Sequence, residues 1–122
     1  MYSISEVAEK VDISAHTLRY YEKEGIISPV RNAHGIREFD EQHLKWLHFV
    51  KKLRETQMPV SQIKEYTHLF LEGEHTANER LRLLEEHQQF IRDQIETLLA
   101  TDEMLTKKIS TYKEIMKKSL MK

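Results

Sequence analysis

The sequence predicts a mainly α-helical protein: a head of short helices carrying one small β-hairpin, followed by a single long helix. Three observations predict it. Only three glycines and two prolines interrupt 122 residues, so helices meet few breakers. Two spacings, Ser3 to Glu6 and Thr76 to Glu79, have the Ser/Thr-x-x-Glu form of a capping box, and the second opens a stretch without glycine or proline. From Ala77 to Met116, positions at alternating four- and three-residue steps are apolar except at Gln88 and Asp102, the pattern of a heptad seam.

The first helix is capped by Ser3 and runs to about Lys10, with Ile4, Val7, Ala8 and Val11 on its buried side. Asp12-Ile13-Ser14 is a turn of few residues into a second helix, which Ser14 caps and Gly25 ends. Ala15, Leu18 and Tyr21 point one way along this second helix. His16, Arg19, Tyr20 and Lys23 fall on the other side, with Thr17 beside them. Two short helices joined so tightly form a helix-turn-helix, and an outward face with a guanidinium, an ammonium and a phenol offers donors to phosphates and base edges. His16, Thr17, Arg19, Tyr20 and Lys23 are therefore candidate DNA contacts.

Ser28-Pro29 breaks the chain, because proline lacks a backbone donor and disfavours helix in the residue before it. Val30-Arg31 and Ile36 to Phe39 then read as two brief strands around Asn32-Ala33-His34-Gly35, and Arg31 and Arg37 on this hairpin are candidate phosphate contacts. Asp40 caps a third helix to about Glu55, with Leu44, Leu47, Val50 or Lys51, and Leu53 as its stripe, broadened by Trp46 and Phe49. Lys51, Lys52 and Arg54 complement the dipole at its end and lie where they are also candidates to touch DNA. A fourth helix is expected from about Val60 to Leu71, burying Ile63, Tyr66, Thr67 and Phe70.

The run Leu18-Arg19-Tyr20-Tyr21-Glu22-Lys23-Glu24-Gly25-Ile26-Ile27, then Gly35-Ile36-Arg37 and a strand ending at Phe39-Asp40, resembles the winged-helix domain of the MerR family of bacterial transcription regulators. The likeness runs, in order, through almost the whole chain. It implies a winged helix-turn-helix DNA-binding domain over 1–73 and a dimerisation helix over 76–118 that pairs as an antiparallel coiled coil. It implies DNA contacts by Arg19 and Tyr20 from the recognition helix and by Arg37 from the wing. The implied partners are double-stranded promoter DNA, a second copy of the chain, and RNA polymerase at the promoter, where the dimer bends and untwists an over-long spacer. Many family members carry an aromatic residue where Ile36 stands and a tyrosine where Phe39 stands; Phe39 has no hydroxyl to give a phosphate and is not among the candidate contacts.

The long helix would extend roughly 60 Å at 1.5 Å per residue and must bury its seam somewhere, most simply against a second chain. Leu84, Ile91, Ile95, Leu98, Leu105, Ile109 and Tyr112 are the candidate dimerisation residues. The heptad alone predicts pairing and leaves its direction open. Leu83, Phe90 and Met104 widen the apolar face, a breadth suited to docking on the third and fourth helices. Two identical reading heads on a two-fold axis require an inverted repeat.

Composition bounds the rest. Net charge is −1, and residues 1–71 hold 10 of the 19 Lys/Arg and 10 of the 20 Asp/Glu, so DNA affinity must come from a local basic patch. Cysteine is absent, which excludes sensing by thiol chemistry or thiolate-bound metal. No two of the seven histidines stand three or four residues apart, and no phosphate loop or nucleophile–base pattern appears, so neither a metal site, a cofactor nor catalysis is expected. No apolar run is long enough to cross a bilayer and no signal peptide opens the chain, which places it in the cytoplasm. Only a few residues, such as Lys117 to Leu120, follow the coiled coil, so any small-molecule effector would bind where the coiled coil meets the DNA-binding lobe, near Trp46, Tyr66, His68, Phe70 and Phe90; constitutive repression without an effector is the alternative. Two rival readings are a coiled-coil adaptor that ignores DNA and an architectural DNA-bending protein of excisionase type.

Overall fold

The computed structural model of the chain describes residues 1–121. In order it has α1 (Ile4–Val11), α2 (Ala15–Lys23), β1 (Val30–Arg31), β2 (Arg37–Glu38), α3 (Glu41–Glu55), α4 (Val60–Glu72), a 3-10 turn (Glu74–Thr76) and α5 (Ala77–Met121). It divides into two compact units, one ending at Leu84 and the other starting at Glu85.

In the first unit, local chemistry and burial agree. Ser3 and Glu6 close the expected capping box on α1. Asp40 does the same for α3 with an unexpected partner, since His43 Nδ1 accepts from the Asp40 N–H at 2.9 Å where a glutamate would ordinarily reach back. The Nε2 of the same imidazole lies 3.0 Å from the Ser28 carbonyl oxygen. One neutral ring, accepting at Nδ1 and donating at Nε2, thus ties the start of α3 to the segment that leaves α2.

Val7 and Val11 of α1, Leu18 and Tyr21 of α2, Leu44, Leu47, Val50 and Leu53 of α3, and Ile63 of α4 converge in one core with Ile26, Phe39 and Met58. Val50, not Lys51, completes the α3 stripe. Phe39 is almost fully buried, and its backbone pairs with Tyr2 through N–H···O bonds of 2.7 and 2.8 Å. The first residues therefore clip the end of the hairpin to the core, a pairing that nothing local in the sequence signals. Full burial of such a side chain is worth about 1.5–3 kcal/mol.

Two local expectations are corrected. Phe70 was expected on the buried side of α4, yet it is 49% exposed while Ile63, Tyr66 and Thr67 are buried. The Thr76 to Glu79 capping box does not form. Thr76 is buried, and its hydroxyl approaches the Leu69 and Gly73 carbonyls at 2.6 and 2.8 Å while accepting from Arg80 Nε at 3.0 Å. The last carbonyls of a helix lack intrahelical donors, and the hydroxyl serves the end of α4 instead of the start of α5, with the Gly73 carbonyl also accepting the Thr76 N–H at 3.2 Å and Arg80 Nη2 at 3.5 Å.

The second unit is the remainder of α5. Its seam side chains Ile95, Leu98, Leu105, Ile109 and Tyr112 are between 48% and 67% exposed, while Ile91 is half-buried. Leu84, at the end of the first unit, is also half-buried. Among the described residues, no helix is long and apolar enough to cross a membrane.

Candidate nucleic-acid interface

The candidate surface is built on α2. Ser14 Oγ accepts the Thr17 N–H at 3.1 Å and bonds the Thr17 hydroxyl at 2.9 Å, fixing the first turn. At the other end the Gly25 N–H reaches Glu22 O at 3.0 Å and the Ile26 N–H reaches Tyr21 O at 2.8 Å, a Schellman closure that requires the left-handed Gly25 (φ +78°). A Cβ there would lie in contact with the His68 ring, 3.4 Å from Nε2. The helix is therefore short because both ends are chemically stopped.

Between these stops, Leu18 and Tyr21 enter the core and His16, Arg19, Tyr20 and Lys23 face out. Their spacing puts them on one helical face. Arg19, Lys23 and His16 make no hydrogen bond or ion pair with any described residue, and Tyr20, 42% exposed, only meets the Tyr21 ring at 6.2 Å between centroids. Burial raises the Tyr21 hydroxyl above its ordinary pKa, so it stays a neutral inward phenol.

A bracing residue sits on α3, among the cations that were candidates to touch DNA. Lys51 Nζ donates to the Val11 carbonyl at 3.0 Å and lies 3.5 Å from Asp12 Oδ2, where Asp12 takes a left-handed φ of 55°. An ammonium on the last carbonyls of α1 satisfies groups that helix ends leave open, and it fixes the turn that aims α2. Lys51 is thus committed to the turn. Arg54 Nη1 donates to Met58 O at 2.8 Å, and Lys52 pairs with Glu55 at 3.3 Å.

Glu22 of α2 and Glu24, the residue that caps its end, decide the local field. Glu24 pairs with Lys64 of α4 at 3.2 Å. Glu22 takes both wing arginines, Arg37 Nε at 2.6 Å and Arg31 Nη2 at 3.2 Å. Burial alone would push the Glu22 carboxyl up, but the hydrogen bond and charge of Arg37, then those of Arg31, outweigh it and hold the carboxyl below its ordinary range. Neither carboxylate competes for the outward cations, so a chain of net charge −1 still shows a locally positive face. Strand pairing of Arg31 with Arg37 puts these two side chains on the hairpin face toward α2. His16, Thr17, Arg19, Tyr20, Lys23, Arg31 and Arg37 thus lie on α2 or the hairpin fastened to it, while Lys51, Lys52 and Arg54 lie on α3 with partners inside the protein. The pairings of Glu22 with Arg37 and of Lys51 with Val11 are not visible in residue order, because the partners lie 15 and 40 residues away.

The effector candidates divide. Trp46, Tyr66 and Phe70 form an aromatic cluster, with centroids of 6.0 Å from Trp46 to Tyr66 and 5.3 Å from Trp46 to Phe70. The indole is anchored by Nε1–H donating to Ile26 O at 2.8 Å, and Arg80 stands over the Phe70 ring at 5.5 Å. A groove of about 320 Å³ runs beside it, lined by Ile26, Ile27, His43, Trp46, Phe70 and Leu71 among others. His68 is exposed on α4 outside the lining, and Phe90 belongs to the second unit, stacked 6.0 Å from His87.

Residues 2–69 match the model of the MerR HTH family regulatory protein, and residues 44–108 that of the MerR DNA-binding region. The HTH-type transcriptional regulator AdhR of Bacillus subtilis is 41% identical over 88 residues, which cover 71% of this chain and 63% of that protein, less than two thirds of its length. An HTH-type transcriptional regulator of Haemophilus influenzae is 35% identical over 114 residues, 93% of this chain and 84% of that one. Two solved structures are similar throughout. A MerR family regulator from Listeria monocytogenes aligns with a TM-score of 0.87 at 34% identity over 92% of this chain and 86% of its own. HiNmlR, a MerR family regulator lacking the sensor domain and bound to promoter DNA, aligns with a TM-score of 0.84 at 34% identity over 93% and 90%. The chain, a winged helix-turn-helix with a cationic face on α2, belongs to the MerR family of DNA-binding transcriptional regulators.

Proposed function

We propose that the chain acts in the cytoplasm as a homodimer, binds an inverted repeat in promoter DNA, and controls transcription by distorting the duplex beneath RNA polymerase. The observation that carries this reading is the α2 face of His16, Arg19, Tyr20 and Lys23, cleared of competing carboxylates and flanked by a fastened wing. Dimerisation through 76–118 is supported by the apolar seam, whose exposure in one chain is unfavourable at about 25 cal/mol per Å². Two heads related by a two-fold axis read the two halves of the repeat, Arg19 and Tyr20 from the major groove and Arg37 from beside it. Distorting the duplex costs on the order of several kcal/mol, which contacts along the bent DNA offset. The solved relative bound to promoter DNA supports this partner. The anchored cluster of Trp46, Tyr66 and Phe70 is the place proposed for an effector, because it combines aromatic surface, a groove and one nearby cation.

The experiment is to sequence genomic fragments retained by the purified protein, footprint the best of them, and titrate it at several salt concentrations. An inverted repeat in an over-long promoter spacer, with log affinity falling steeply against log salt, is the expected result. Retention of nothing specific, with a flat salt dependence, would favour the adaptor reading; specific DNA with no relation to promoter spacers would favour the excisionase type.

A further inference from the structure

The two wing arginines meet the same carboxylate with different parts of their guanidinium groups. Arg31 gives Nη2 to Glu22 Oε2 at 3.2 Å and Nη1 to the Gly35 carbonyl at 3.0 Å, so each of its terminal nitrogens is tied once inside the protein and keeps a second N–H. Arg37 gives Glu22 Oε1 only its inner Nε, at 2.6 Å. Its two terminal amino groups bond no described residue. A guanidinium presents donors in a fixed planar fork, so fastening it by Nε orients the terminal pair without using it.

The hairpin geometry makes this arrangement specific. Arg31 and Arg37 are cross-strand partners facing α2, whereas Asn32 Nδ2 donates to Glu38 Oε1 at 3.1 Å on the opposite face. Glu22 stands one helical turn from Arg19 on the recognition helix. The carboxylate therefore links α2 to one arginine whose terminal amino groups are both unbonded and to another whose terminal amino groups are each held in place by a bond within the protein.

We propose that Glu22 is a positioning residue for DNA binding: it fastens Arg37 by Nε so that the terminal amino groups are preset for a backbone phosphate, while Arg31 is a strut that pins the hairpin to α2 and touches no phosphate. This inference rests on the DNA-binding reading and assigns the two arginines different roles within it. A long side chain ordered before binding loses less freedom on binding. Glu22 thus favours affinity although it places a negative charge near DNA.

The test measures binding of the footprinted promoter duplex over a salt series for wild type, Arg37→Ala, Arg31→Ala, Glu22→Ala and the double variant Glu22→Ala/Arg37→Ala, each first shown by circular dichroism to be folded. Arg37→Ala is expected to lower the slope of log affinity against log salt by about 0.9 for each head that loses its phosphate. Arg31→Ala should leave the slope unchanged. Glu22→Ala should weaken binding about tenfold despite removing a negative charge, and the double variant should bind no worse than Arg37→Ala alone, because Glu22 acts through Arg37. Glu22→Gln, which retains an acceptor for Arg37 Nε, should recover part of the loss, and it serves as the readout if Glu22→Ala does not fold. Tighter binding by Glu22→Ala with an unchanged slope would overturn the proposal, as would additive losses in the double variant or a slope loss in Arg31→Ala equal to that of Arg37→Ala. A flat salt dependence in the wild type would instead overturn the DNA-binding reading beneath it.

Discussion

Leu18 and Arg19 are neighbours in sequence, yet their truncation should have opposite consequences, because one side chain enters the core and the other faces solvent. Leu18 is 1% exposed, so Leu18→Ala removes buried methyl groups and leaves a cavity, costing about 2–5 kcal/mol. Against a total stability of about 5–15 kcal/mol, that is a large fraction and should appear as a clear fall in the urea midpoint. Arg19 is exposed and makes no bond with any described residue, so Arg19→Ala should change stability by less than about 0.5 kcal/mol. In binding, a lost side-chain contact to a base costs about 1–3 kcal/mol, and a dimer loses two, so operator affinity should fall by about 30-fold to more than 10,000-fold. The assay pairs urea unfolding with titration of the footprinted duplex and a scrambled duplex. Retained operator affinity in Arg19→Ala would refute the orientation of the recognition helix, and an unchanged urea midpoint in Leu18→Ala would refute its packing.

Other perturbations probe other parts of the chain. Leu98→Asp puts a carboxylate in the seam, and an unpaired buried charge costs about 3–5 kcal/mol, so sedimentation should find monomers; a dimer unchanged in strength would place the interface elsewhere. Thr76→Val deletes the buried hydroxyl that serves the Leu69 and Gly73 carbonyls, and chemical denaturation should show a loss of about 1–3 kcal/mol; no loss would show that those carbonyls are satisfied in another way. Acid should release the wing. Because Glu22 titrates lower folded than unfolded, its contribution is present above the unfolded value of about 4.3 and is lost as pH falls through the lower folded value. The stability difference between wild type and Glu22→Gln should therefore shrink below about pH 4 in thermal unfolding followed by circular dichroism, and a difference independent of pH would separate Glu22 from its arginine partners.

Residue order alone specifies the elements and the outward cations. Capping residues, helical spacing and the breaker Ser28-Pro29 act within a few positions of the groups they govern, so helix starts, the short turn before α2, the hairpin and the face of His16, Arg19, Tyr20 and Lys23 can be read directly from residue order. Even there, a local signal is ambiguous when two helices share a residue: Thr76 has the spacing of a cap for α5, and its hydroxyl turns to α4. Which polar groups are engaged, and with whom, is set by packing in three dimensions. Lys51 braces the turn beneath α2, Glu24 goes to Lys64, Tyr2 clips the hairpin through Phe39, and Glu22 divides its two oxygens between Arg37 and Arg31. Each of these pairings crosses between elements, and an ionic or hydrogen-bonding partner is fixed by distance in space, which residue type and local spacing do not encode.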